Sequence, residues 1–124
     1  MIVKEVMKKP YAVDKDISLR DAAQIMSEHN IGSLLFIQKN KIKGILTERD
    51  LLKNFGQEEN ISAIMSKDII GVDAEEDAMQ ALELMKEHKV KRLPVLEEGK
   101  LIGIVSLTDL AANLEEMEGN FFFE

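Results

Sequence analysis

Two seven-residue stretches concentrate the chemically useful groups of this chain: Gly44-Ile45-Leu46-Thr47-Glu48-Arg49-Asp50 and Gly103-Ile104-Val105-Ser106-Leu107-Thr108-Asp109. In each, an apolar strand carrying a glycine runs into a hydroxyl residue, and an aspartate follows three positions later. Two readings apply. Ser/Thr-x-x-Asp ahead of an apolar run is a capping box, in which side chain and backbone satisfy each other at a helix start. The same turn also sets a hydroxyl, backbone N–H groups and a helix N-terminus beside one carboxylate. That set suits the polar parts of a nucleotide. Helix N-termini and hydroxyls take phosphate oxygens, and a carboxylate accepts hydrogen bonds from ribose hydroxyls. Both copies use Asp, although the longer Glu serves the reciprocal cap better, and this favours a role beyond capping. Gly44 and Gly103 weaken their strands but let another group approach closely.

The two stretches belong to a longer internal repeat. A shift of 59 lays residues 13–54 on residues 72–113 without a gap, and thirteen of those 42 positions are identical, Asp50/Asp109, Asn54/Asn113 and His29/His88 among them. Upstream, Val6-Met7 matches Ile64-Met65 at a shift of 58. Each copy reads as helix, strand, strand, helix. Ser18 and Asp77 are expected N-caps, with Asp21 and Gln80 completing capping boxes. Apolar residues at 19, 22, 23, 26 and at 78, 81, 82, 85 form the stripe of an amphipathic helix. Leu34–Ile37 and Leu93–Leu96 then pass through polar turns (38–41 and 97–100) into Ile42–Leu46 and Leu101–Val105, giving hairpins. Tyr11-Ala12-Val13 and Ile70-Gly71-Val72 supply a third strand, and a second helix starts near Thr47 and Ser106. The expected architecture is α/β: a tandem pair, each repeat a small three-stranded sheet packed with two helices, related by a pseudo-twofold axis. Residues 1–59 form repeat 1, 60–118 repeat 2, and 119–124 an aromatic tail.

Composition sets the outer limits. The chain has 124 residues, 45% hydrophobic and 31% charged, with no cysteine. Disulfides, zinc ribbons and thiol catalysis are therefore excluded. No apolar run approaches the length of a membrane span, no signal sequence opens the chain, and the cytoplasm is the expected compartment. The net charge of −7 is uneven: residues 1–60 carry 10 basic and 9 acidic side chains, residues 61–124 carry 6 and 14. This argues against nucleic acid as a partner. No activated Ser–His pair, phosphate-binding glycine loop or metal-ligand spacing occurs, so an enzyme is not expected. His29 and His88, each at a helix end, are read as dipole-favoured residues and not as metal ligands.

The 59-residue duplication, the strand ending Gly-h-h-[ST]-x-x-Asp (h, hydrophobic) and the Leu93-Pro94-Val95 strand after a helix resemble the CBS domain, and the pair resembles a Bateman module over roughly residues 3–113. The resemblance implies two related clefts between the repeats that bind adenosine compounds: AMP, ADP, ATP, or S-adenosylmethionine and its relatives. It implies that Asp50 and Asp109 hold ribose hydroxyls and that Thr47 and Ser106 bind phosphate, or sugar where phosphate is absent. Tyr11, Ala12, Ile70 and Gly71 would line an adenine pocket, with Ile31, Val90 and Pro94 as apolar walls. Repeat 2 has Lys91-Arg92 where repeat 1 has Gly32-Ser33, and basic residues at these positions reach phosphates in the family. Arg49 would help in the same way, its counterpart being Thr108. A solvated role for these bases is the competing reading; their concentration near two helix starts favours a phosphorylated ligand.

An adenine nucleotide is thus the expected ligand, with no catalytic cofactor. The alternatives are an S-adenosylmethionine-type ligand, or an interaction module with vestigial sites. Family resemblance also implies a homodimer, regulating a protein the sequence does not name. Phe121-Phe122-Phe123 is expected to contact another subunit.

Overall fold

A computed structural model describes residues 1–115. The Phe121–Phe123 expectation falls outside the described residues. In chain order the elements are α1 (Val3–Val6), β1 (Ala12–Val13), α2 (Leu19–Glu28), β2 (Ser33–Gln38), β3 (Lys41–Thr47), α3 (Glu48–Lys53), α4 (Ile61–Ile64), β4 (Val72–Asp73), α5 (Ala78–His88), β5 (Arg92–Glu97), β6 (Lys100–Ser106) and α6 (Leu107–Ala112). They form two three-stranded sheets, ordered β1-β2-β3 and β4-β5-β6. In each sheet the first strand runs parallel to the central one and the third antiparallel to it. The α/β architecture and its duplication are as the sequence implies.

The helical stripes bury as their spacing requires. Leu19, Ala22 and Met26 of α2 and Ala78, Ala81 and Met85 of α5 are buried. Ser18 caps α2 by accepting from Asp21 N at 3.0 Å, and Asp77 caps α5 by accepting from Met79 N at 2.8 Å. The reciprocal half of the expected boxes is not made at either helix: Asp21 and Gln80 are exposed, where water serves their side chains equally well. The hairpins close on tighter turns than their polar runs suggest. Gln38 still pairs with Lys41 and Glu97 with Lys100. Only Lys39-Asn40 (φ 53° and 61°) and Glu98-Gly99 (φ 52° and 78°) lie outside the ladders. Two consecutive positive φ values match the twist of the flanking strands. Each ladder then slips by one residue beyond its turn, leaving Lys43 and Ile102 as the extra residues of a β-bulge.

The compact units are offset from the sequence repeats. One comprises Tyr11–Ile69; the other joins Met1–Pro10 to the chain from Ile70 onward. The one-turn helices α1 and α4 account for this. Met7, just after α1, leads into Lys8, which exchanges both backbone hydrogen bonds with Ile104 of β6 at 2.8 and 2.9 Å. Met65, just after α4, leads into Ser66, which does the same with Ile45 of β3 at 3.0 and 2.9 Å. The glycines in those strands now have a reason. A Cβ on Gly44 would lie 2.6 Å from Met65 Cγ, and one on Gly103 2.9 Å from Met7 Cγ. The close approach that Gly44 and Gly103 permit is that of a methionine in the same unit.

Candidate functional site

Each sheet gathers the residues of interest at one end, where β1 or β4 and the central strand begin and the third strand stops. Ser33 lies opposite Thr47, and Arg92 opposite Ser106. In the Tyr11–Ile69 unit this end holds Tyr11, Ala12, Ile31, Thr47, Arg49 and Asp50. In the other it holds Ile70, Gly71, Val90, Lys91, Arg92, Ser106, Thr108 and Asp109. Pro94 lies two residues into β5, opposite Ile104, and is buried. Arg49 stands in the Tyr11–Ile69 unit, and Lys91 and Arg92 stand in the other.

Both turns are complete capping boxes. Asp50 Oδ2 accepts from Thr47 N at 2.9 Å and from Thr47 Oγ1 at 3.1 Å, while Asp50 N donates to Thr47 Oγ1 at 3.4 Å. Asp109 Oδ2 accepts from Ser106 N at 3.1 Å, and Asp109 N donates to Ser106 Oγ at 3.1 Å. Asn54 and Asn113 each donate a side-chain N–H at 2.8 Å to the backbone oxygen of their aspartate. The first-turn amides are less available than the sequence implies, because Glu48 N donates to Gly32 O at 3.1 Å and Leu107 N to Lys91 O at 2.8 Å. Only Arg49 N and Thr108 N lack a protein acceptor among the described residues.

What remains open is informative. One oxygen of each aspartate carries the cap, and the carboxylate is thereby held in a fixed orientation with Oδ1 turned to other partners. Asp50 Oδ1 meets no protein donor among the described residues. Asp109 Oδ1 faces Lys8 Nζ at 4.0 Å. An oriented, partly buried carboxylate oxygen is suited to accept hydrogen bonds from a diol. The hydroxyls differ: Thr47 spends its hydrogen on Asp50, whereas Ser106 does not spend its own on Asp109.

Around the turns, Tyr11 is half-buried, its backbone carbonyl accepts from Leu35 N at 2.9 Å, and its ring leans on that of His29 with centroids 4.7 Å apart. Ala12 is exposed and Ile31 half-buried. Gly71 leaves room for Leu96, whose Cδ1 lies 2.9 Å from where a Cβ would be. Lys91, Thr108 and Val90 are exposed, and Arg92 and Ile70 are half-buried. His29 ends α2 as its C-cap and His88 is the last residue of α5. Among the described residues no three His, Asp or Glu gather as a metal site. No described helix is long and apolar enough to cross a membrane. Sequence reasoning missed Asn54, Asn113 and Lys8; the first two were signalled by their identity in the repeat, and Lys8 by nothing local.

This arrangement of sheet and turn recurs in known proteins. The sequence matches the CBS domain twice, over residues 3–56 and 61–116. The chain belongs to the CBS domain family. A 17.7 kDa protein of Acidianus ambivalens is 39% identical over 111 residues, covering 86% of this chain and 68% of that one. The CBS domain-containing protein YhcV of Bacillus subtilis is 32% identical over 117 residues, covering 90% and 84%. Among solved structures, a CBS domain pair in complex with 5'-methylthioadenosine and S-adenosyl-L-methionine superposes with a TM-score of 0.86 at 27% identity, over 94% of this chain and 97% of that one. This CBS pair therefore shares its fold with a module that holds adenosine-type ligands.

Proposed function

We propose that this CBS pair is a regulatory module that binds adenine nucleotides (AMP, ADP or ATP) and performs no catalysis of its own. The observation that carries the reading is the duplicated turn in which a capping box orients Asp50 and Asp109 while leaving Oδ1 outside the cap. In this reading those oxygens accept the ribose hydroxyls, and phosphate is contacted by Ser106, Lys91 and Arg92 in one unit and by Arg49 in the other. Thr47 does so by turning its hydroxyl from Asp50, and Thr108 N by donating an amide. Tyr11, Ala12 and Ile31 flank the base in one unit, and Ile70, Gly71, Val90 and Pro94 in the other. Binding then shifts the balance between conformations or assemblies, which requires only different affinities for the two states. A cytoplasmic homodimer acting on another protein completes the proposal, and the exposed Leu52 and Phe55 support an assembling surface. The related pair's two ligands support a second reading, an uncharged or sulfonium adenosyl ligand.

The test is a melting-temperature series with AMP, ADP, ATP, 5'-methylthioadenosine and S-adenosylmethionine at millimolar concentration. A ligand selective for the folded state raises stability by about 2.7 kcal/mol at one hundred times its Kd. A saturable rise with the nucleotides supports the first reading, and a rise with only the last two supports the second. No rise with any of them refutes both.

A further inference from the structure

Lys8 and Ser66 occupy the same place in the two units, each exchanging two backbone hydrogen bonds with the glycine-bearing strand. Lys8 puts its ammonium 4.0 Å from Asp109 Oδ1; Ser66 offers Asp50 no cation. The flanking positions repeat the contrast. Lys91, whose carbonyl takes the Leu107 amide, and Arg92, paired with Ser106, stand where the other unit has Gly32 and Ser33. Among the described residues, the Asp109 turn thus has Lys8 and the exposed Lys91 beside its carboxylate, and the Asp50 turn has Arg49 beside its own. The first is net positive and the second is not, on two otherwise matching scaffolds. The Ser106 hydroxyl hydrogen is also uncommitted to its aspartate, whereas that of Thr47 is committed.

We propose that Lys8 is a specificity residue that makes the Asp109 turn a polyphosphate site, while the Asp50 turn takes adenosine compounds of low charge. This rests on the nucleotide reading above and assigns a ligand class to each turn. Lys8 Nζ is positioned to leave Asp109 for the terminal phosphates, since its side chain is 72% exposed and the Asp109 side chain only 15%. The partnership is loose enough to exchange: at 4.0 Å it is an ion pair without hydrogen-bond geometry. A ligand with three or four negative charges gains from the net positive border, and one with none does not.

The experiment is calorimetric titration of the full chain, as wild type, Lys8→Ser and Lys8→Arg, with ATP and with adenosine at low and high salt. Lys8→Ser is expected to weaken ATP about fivefold, the upper end for a solvent-exposed ion pair. It should also flatten the salt dependence, leave adenosine within about twofold, and leave the unliganded melting temperature unchanged; Lys8→Arg should restore ATP binding. Unchanged ATP affinity in Lys8→Ser, or equal loss of ATP and adenosine, overturns the assignment. Inorganic tripolyphosphate separates this inference from the one it rests on. It should raise the melting temperature of wild type more than that of Lys8→Ser, and no rise in wild type overturns the polyphosphate site. A rise with tripolyphosphate but none with any adenine compound upholds the site and refutes the nucleotide reading instead.

Discussion

Adding one methyl group at Gly44 perturbs the contact that docks the α4 segment on its sheet. The new Cβ would stand 2.6 Å from Met65 Cγ, well inside van der Waals contact. Met65 is buried in the core with Leu34, Phe36 and Leu46, so its side chain cannot swing into solvent. Gly44 does not have positive φ, so alanine meets no backbone penalty there. Overpacking of this kind costs about 1–3 kcal/mol, offset by about 0.4–1 kcal/mol from the restricted unfolded chain. The net expectation is a loss of about 1–2 kcal/mol. Met65→Ala alone should cost about 2–5 kcal/mol through the cavity it leaves. In the double variant the new methyl partly fills that cavity, so the combined loss should fall short of the sum by about 1 kcal/mol or more. Urea denaturation of the four proteins measures this cycle. Additivity within about 0.5 kcal/mol would refute the reasoning that the glycine exists to admit the methionine.

Further outcomes follow from the same geometry. Thr47→Ala and Ser106→Ala each lose a cap and should lower stability by about 0.5–2 kcal/mol, read by denaturant titration. Asn54→Ala and Asn113→Ala remove the 2.8 Å bonds to the aspartate backbone and should each cost about 1 kcal/mol. Asp16 accepts from Ser62 Oγ and Ser62 N at 2.6 and 2.9 Å, which holds its carboxyl below the ordinary value of 3.8. Its stabilisation is therefore present above pH 3.8 and lost as pH falls below that value toward the lowered native one. Asp16→Asn should destabilise the protein at neutral pH and converge with wild type in strong acid, as read by thermal melts across pH.

The features legible in the sequence are local ones. The α2 and α5 stripes, the paired strands and the turns at 47–50 and 106–109 all declare themselves within a dozen residues. The four-residue helices α1 and α4 are too short to show a period, although Val6-Met7 and Ile64-Met65 marked their places. The extra residues Lys43 and Ile102 leave no trace in an alternating pattern, so neither bulge is legible in the sequence. Non-local pairing was hidden altogether. Nothing near Lys8 points to Asp109, and nothing in Gly103 names Met7 as its occupant. The reciprocal boxes expected at Ser18 and Asp77 fail because exposed Asp21 and Gln80 gain little there that water does not supply. At Thr47 and Ser106, where the turn is half-buried, both boxes close.

The structure also changes how the ligand reading is best tested. Asp50 and Asp109 cap their helices as well as facing outward, so alanine would remove both roles together. Asparagine keeps a carbonyl oxygen for the cap and turns an amide donor toward the ligand. The decisive measurement is calorimetric titration of AMP and ATP into wild type and the Asp50→Asn/Asp109→Asn double variant, with folding checked by thermal melting. The account predicts a melting temperature near that of wild type and at least a tenfold loss of nucleotide affinity. A double variant that is folded and binds both nucleotides as tightly as wild type would contradict it.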